Sequence, residues 1–169
     1  MNRKPQEQVR LVIASLYPTM LDALQRLCMA EADLTVLGEA SDGDEAVQLT
    51  RQLKPDILLL DLRWYKYPGK KHRTGMEVLR ELSTPPNPTP VRVILLTDAI
   101  EKSQVVEALQ LGARGVVDMH SKTEVLFKAI QTVMWGGCWV HRKQVSNVAQ
   151  YLRTLMQSTI EQAICPIVS

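Results

Sequence analysis

The feature that most constrains this chain is an alternation. Short apolar runs recur along it, and each is followed by a segment with helical periodicity. Arg10 to Ala14 reads as a buried strand, and Met20, Leu21, Leu24, Leu27 and Cys28 then repeat at helical spacing. Leu34 to Ala40 reads as a second strand. Asp42 and Glu45, spaced as a capping box, open a helix that carries Val47, Leu49 and Leu53. Lys54-Pro55-Asp56 breaks that helix, and Ile57 to Asp61 reads as a third strand. Met76, Leu79 and Leu82 mark a third helix, and Pro85, Pro86, Pro88 and Pro90 make a stiff connector after it. Val91 to Leu96 reads as a fourth strand, and Val105, Val106 and Leu109 mark a fourth helix ended by Gly112. Gly115 to Met119 reads as a fifth strand. Ser121 and Glu124 have capping-box spacing ahead of a fifth helix with Leu126, Ile130, Val133 and Met134 on one face, which stops at Gly136-Gly137.

Five such units define a fold class. Strands that are apolar almost throughout are buried on both faces, as in a parallel sheet covered by helices. Right-handed crossovers then give an open, doubly wound α/β sheet. Ligands of such sheets gather at the carboxyl ends of the strands, here Ala14 to Leu16, Ala40, Asp61, Leu96 to Asp98 and Met119. The 169 residues suffice for one domain with a core, and 46% hydrophobic with 22% charged residues excludes a disordered chain. No apolar run is longer than Ile57 to Leu60, and the start from Met1 to Gln8 is polar, so neither a membrane span nor a signal peptide is expected. A cytoplasmic location is expected. The net charge of +2 is a weak basic bias for a nucleic-acid binder. Cys28, Cys138 and Cys165 lack metal-ligand spacing and read as buried or inert thiols.

Several stretches carry a family likeness: Gly38-Glu39-Ala40-Ser41-Asp42-Gly43, Lys54 to Leu62, Leu95-Leu96-Thr97 and Ala108 to Gly115, with Pro18 after the first strand. In order and spacing, Val9 to Val140 resembles a response-regulator receiver domain of the NarL/FixJ type. The resemblance implies a flavodoxin-like five-stranded sheet of order 2-1-3-4-5. It makes Asp61 the candidate acceptor of a phosphoryl group from a histidine kinase and Thr97 the supporting hydroxyl. It also exposes departures. The acid pair that would hold Mg²⁺ falls at Ser15 and Leu16, the phosphoryl-pairing lysine at Met119 and the switch aromatic at Val116. Mg²⁺ prefers carboxylate oxygens, so no cofactor is expected, and only weak Mg²⁺ binding at Asp61 if phosphorylation is active. A second reading makes Asp61 a strand-end carboxylate that bonds nearby backbone.

The family's glycine lies eight residues after the phosphoacceptor, whereas Gly75 lies fourteen after Asp61, which implies six inserted residues. The segment 63–73 carries five Lys or Arg (Arg63, Lys66, Lys70, Lys71 and Arg73), three aromatics including Trp64, and no acid. It reads as a loop for a partner protein or an anion, or as a solvated surface loop. Arg63 or Lys66 could also pair with Asp61 and hold the site without phosphorylation. Residues 1–8 read as a tail, 9–140 as the receiver-like unit and 141–169 as an amphipathic helix and tail, with Val145, Val148, Leu152, Leu155 and Met156 on one face. A helix-turn-helix output module does not fit in that length. The expected function is an atypical, non-enzymatic receiver that acts in signal transduction by protein–protein binding, with a partner protein, a histidine kinase or a second copy as partners. The alternatives are a working phosphoacceptor in a phosphorelay and a nucleic-acid or transcription accessory acting through the loop, direct nucleic-acid contact being the less favoured.

Overall fold

In the computed structural model, the described residues are 8–63, 73–84, 89–98 and 102–140. The elements run β1 (Val9–Ala14), α1 (Pro18–Met29), β2 (Leu34–Ala40), α2 (Gly43–Leu53), β3 (Ile57–Asp61), α3 (Gly75–Ser83), β4 (Arg92–Thr97), α4 (Lys102–Gln110), β5 (Gly115–Asp118) and α5 (Thr123–Met134). The strands form one parallel sheet of order β2-β1-β3-β4-β5, the expected doubly wound, flavodoxin-like arrangement.

Two hydrophobic layers flank the sheet because strand side chains alternate between its faces. Leu58, Leu60, Val93 and Leu95 face a layer built with Ala46 and Val47 of α2, Val78, Leu79 and Leu82 of α3, and Val105 and Ala108 of α4. Ile57, Leu59, Ile94 and Leu96 face Leu21, Leu24 and Cys28 of α1 and Leu126, Ala129, Ile130 and Val133 of α5. Every residue of β3 is buried, so both faces of that strand are fixed by packing and its register cannot slip without exposing apolar area. Ala14 sits opposite Leu60, and Asp61 opposite Leu96, which sets the ends of β1, β3 and β4 side by side.

The caps differ in part from the sequence pattern. Asp42 caps α2 as expected and accepts from the Glu45 backbone N–H at 2.8 Å. The Glu45 carboxylate, however, reaches one residue further back and accepts from the Ser41 N–H and hydroxyl. The Ser121–Glu124 box does not form, because α5 begins one residue later, with Lys122 at its N-cap and no side-chain cap. A full capping box occurs instead at Thr74 and Glu77, at the start of α3. β4 and β5 end at Thr97 and Asp118, each shifted by one residue from the expected ends.

After α5 the chain returns to the sheet. The Trp139 N–H donates to the Arg114 carbonyl and the Trp139 carbonyl accepts from the Val116 N–H, closing a parallel bridge to Gly115. The open edge of β5 is thereby covered. The proline connector at 85–88, residues 64–72 of the inserted loop, and the segment 141–169 with its expected sixth helix lie outside the described residues. Cys28 is a buried free thiol, as expected, and Cys165 lies outside the described residues.

Gly75 begins α3 where no side chain fits. A Cβ there would lie 2.7 Å from Leu62 Cδ2 and 3.0 Å from the Asp61 carbonyl oxygen. Helix propensity alone favours alanine by up to ~1 kcal/mol. The clash has the opposite sign, and Gly75→Ala should destabilise the fold by about 1–3 kcal/mol in urea unfolding. A stabilised variant would show that α3 does not need this close approach to the end of β3.

Burial, with a smaller effect from Glu31, pushes the Cys28 thiol from its ordinary 9.0 up to about 11. Between those values the unfolded chain loses the thiol proton while the folded chain keeps it. Stability from this group is therefore complete below pH 9.0 and falls as pH rises to about 11. Across that window the wild type should lose about 1–3 kcal/mol more than Cys28→Ala in denaturant melts. Parallel pH profiles for the two proteins would contradict it.

Candidate functional site: a buried carboxylate under an arginine fork

The carboxyl ends of β1, β3 and β4 converge on Asp61, which closes β3 with no solvent exposure. A bare carboxylate at such a place is costly unless it is paired and hydrogen-bonded. Both of its oxygens are satisfied. Oδ1 accepts from the Arg63 backbone N–H at 2.9 Å and from Arg63 Nε at 3.1 Å. Oδ2 accepts from Arg63 Nη2 at 3.0 Å and from the Ser15 hydroxyl at 2.8 Å. The guanidinium thus lies edge-on along the carboxylate, in the two-pronged geometry that makes Arg–carboxylate pairs strong and directional.

The local chain path explains the arrangement. Leu62 still follows the sheet, its N–H donating to the Leu96 carbonyl at 2.9 Å. Arg63 is the first residue free to turn back, and it lies two positions from Asp61, within reach of both oxygens. Across the site, Pro18 opens α1 and holds the preceding Tyr17 in an extended conformation. Tyr17 then donates its N–H to Ser15 Oγ at 3.1 Å while Ser15 Oγ donates to Asp61, so one hydroxyl links two chain segments. The Arg63 guanidinium carbon stands 4.8 Å from the centre of the Tyr17 ring, a cation–π contact. The Tyr17 hydroxyl reaches the Arg63 carbonyl at 3.5 Å.

Electrostatics follow the geometry. The Arg63 guanidinium is held above its ordinary pKa first by its hydrogen bond to Asp61, against the opposing effect of its burial, with further help from the charges of Asp61, Asp98 and Tyr17. Its side chain is 21% exposed, so the pair is closed toward the protein and open only on one side.

The other positions singled out in the sequence divide clearly. Ser15 is fully buried and bonded to Asp61, whereas Leu16 packs on the α2–α4 layer. Thr97 is buried at the end of β4, and its carbonyl accepts from the Met119 N–H at 2.8 Å. The Met119 side chain joins the α1–α5 layer, and Val116 is fully buried in the opposite one. Arg73, at the far end of the inserted segment, pairs with Asp44 of α2 at 2.7 Å and with Glu81 of α3 at 3.5 Å. Trp64, Lys66, Lys70 and Lys71 lie outside the described residues. Tyr17 was missed in the sequence, although it adjoins the end of β1, where the doubly wound rule places ligands, whereas Asp98 fell within the strand-end residues already named.

A doubly wound sheet with a buried aspartate at the end of its middle strand is the arrangement of a receiver-type module. The chain belongs to the response regulator receiver domain family, which matches residues 12–131. It is 25% identical over 164 residues to the transcriptional regulatory protein DegU of Brevibacillus brevis, covering 96% of this chain and 66% of that protein. It is 30% identical over 131 residues to the nitrate/nitrite response regulator protein NarL of Escherichia coli K12, covering 78% of this chain and 57% of that one. The chain therefore spans 57% to 66% of the length of these curated relatives. Among solved structures, the signal receiver domain of the putative response regulator NarL from Mycobacterium tuberculosis is similar at 31% identity and a TM-score of 0.67, over 77% of this chain and 98% of that chain.

Receiver domains of this family bind Mg²⁺ at the phosphorylation site. The donor set around Asp61 does not fit that ion. Leu16 offers no ligand, the Ser15 hydroxyl is committed as a donor to Asp61, and a guanidinium occupies the carboxylate edge. Among the described residues no group of three His, Cys, Asp or Glu side chains is placed to hold a metal.

Asp61→Asn removes the charge and leaves Arg63 beside a neutral amide. Breaking a buried pair from one side costs several kcal/mol, and the partial exposure of Arg63 moderates it. The variant should lose about 2–4 kcal/mol of stability in urea or thermal unfolding. A loss within experimental error would mean that the fork contributes nothing to the fold.

Proposed function

We propose that this chain is an atypical receiver that acts in two-component signal transduction chiefly by binding partner proteins, with phosphoryl transfer to Asp61 absent or inefficient. The observation that carries this reading is the Arg63 fork on the buried Asp61 carboxylate. A carboxylate that attacks phosphorus needs a free lone pair aimed at the donor, a cation for the transferring oxygens and a hydroxyl nearby. Here four hydrogen bonds occupy the carboxylate. Thr97 retains the hydroxyl, but no acid pair stands at Ser15 and Leu16, and Met119 brings a thioether where an ammonium would serve. Attack by Asp61 would first require the fork to open and leave both charges unpaired.

In this reading the protein is a non-enzymatic, cytoplasmic module with no resident cofactor. Residues 9–140 form the receiver unit. Docking uses the sheet edge around Asp61, the inserted loop 63–73 or the surface of α4 and α5. A histidine kinase and a second copy of the chain are the protein partners this reading admits, and nucleic acid is not one of them. Two of the five basic residues of the loop, Arg63 and Arg73, are already engaged within the protein, which weakens a nucleic-acid footprint further.

Intact mass after incubation with acetyl phosphate and Mg²⁺, with Asp61→Asn as control, tests this reading. The expected result is no phosphoryl adduct, or a minor one, in folded wild-type protein. A near-complete adduct that disappears in Asp61→Asn would overturn it. The chain would then be a working phosphoacceptor receiver, with the fork opening during turnover.

A further inference from the structure

We infer that Arg63 is the resident cation of the Asp61 pocket and that it excludes divalent metal ions. This deepens the reading of a site closed by the Arg63 fork and rests on it.

Charge balance is the first ground. Asp61 and Arg63 together are neutral, and Asp61 has no exposure. A divalent ion added beside the guanidinium would leave two uncompensated positive charges against a fully buried group, an arrangement that desolvation penalises heavily. The same ion cannot displace Arg63 cheaply. The guanidinium makes two side-chain hydrogen bonds to the carboxylate, its own backbone N–H makes a third, and its face rests on the Tyr17 ring.

The second ground is what the pocket becomes without the guanidinium. With the side chain at position 63 removed, the Asp61 carboxylate is left buried without its counter-charge. The oxygens at hand are hard donors of the kind Mg²⁺ and Mn²⁺ take: the Asp61 carboxylate, the Ser15 hydroxyl 2.8 Å from it, and the backbone carbonyl of residue 63 that now faces the Tyr17 hydroxyl. Loss of the acids at positions 15 and 16 and presence of an arginine at 63 are therefore one coherent change. A monovalent cation fixed to the chain replaces a divalent one drawn from solution.

Thermal melts in MgCl₂ or MnCl₂, against NaCl of matched ionic strength, test the inference on the full chain. The wild type should show no metal-specific shift in Tm. Arg63→Ala should gain a rise of about 3 °C or more in saturating metal. The gain should vanish in the double variant Arg63→Ala/Asp61→Asn. An equal rise in the wild type overturns the exclusion, and so does the lack of any rise once Arg63 is removed. Should Arg63→Ala not fold, Arg63→Gln removes the charge while retaining a hydrogen-bonding side chain, and the same outcomes apply. A measurement on the wild type needs no variant. Paramagnetic Mn²⁺ should leave the Arg63 Nε–H resonance sharp, and selective broadening would overturn exclusion. A phosphoryl adduct without any wild-type metal response would overturn the functional reading alone. A wild-type metal response without an adduct would overturn this inference alone.

Discussion

Burial of the Asp61 carboxylate at the end of β3 sets terms for the residues around it. A charge removed from water needs a counter-charge and donors for its lone pairs, or it does not stay ionised. Arg63 supplies the counter-charge and three of the four donors, and Ser15 supplies the last. Neither could do so without the sheet. The Ile57–Leu60 run is buried on both faces, so the strand cannot slip, and Asp61 lands beside the ends of β1 and β4. Gly75 matters for the same reason, because α3 starts against the Asp61 carbonyl and the Leu62 side chain. The stability of the fold and the state of the site are thus coupled at one short segment.

The departures at Ser15, Leu16, Met119 and Val116 take on a common logic once the fork is in view. Leu16 and Met119 are absorbed into opposite hydrophobic layers, and Val116 is fully buried in one of them. Residues at these positions now serve packing, while Ser15 alone still serves Asp61. A packed side chain with many neighbours is held more firmly than a polar one that has to stay movable. The edge of β5, covered by the parallel bridge to Trp139, follows the same trend toward fixed contacts.

The sheet was legible in the sequence because parallel strands buried on both faces leave long apolar signatures. All five strands and all five helices of the described chain lie where periodicity placed them, with ends shifted by a residue or two. The caps were less legible. Whether Ser121 or Lys122 ends up at the N-cap depends on the backbone angles of one residue, which residue type does not determine. Asp61 and Ser15 could be singled out because the receiver resemblance puts the phosphoacceptor and one position of the acid pair at these two strand ends. The choice between Arg63 and Lys66 as the partner of Asp61 could not be made. Both are cationic and close in sequence, and only the turn after Leu62 selects the nearer one. Tyr17 escaped because its contribution depends on which way a neighbouring arginine folds.

Both ends of the inserted segment are tied to the protein, but by unlike bonds. At the near end Arg63 meets a carboxylate with no exposure, and water and salt have little access to the pair. At the far end Arg73 meets Asp44 and Glu81, side chains that are 72% and 40% exposed. Exposed pairs of this kind contribute roughly 0–1 kcal/mol and are screened by salt. Glu81 is also shared with Arg51, so the outer cluster can exchange partners without loss of charge balance. Rising ionic strength should therefore release the far end first, while the fork on Asp61 stays closed. A partner that brings its own acidic groups to Arg73 competes only with these exposed pairs. A partner that engages Arg63 has to meet the full cost of uncovering Asp61. The two ends of one basic segment thus present a weakly held cation at the rim and a strongly held cation at the centre, and only the first is available to a charged ligand without rearranging the sheet edge.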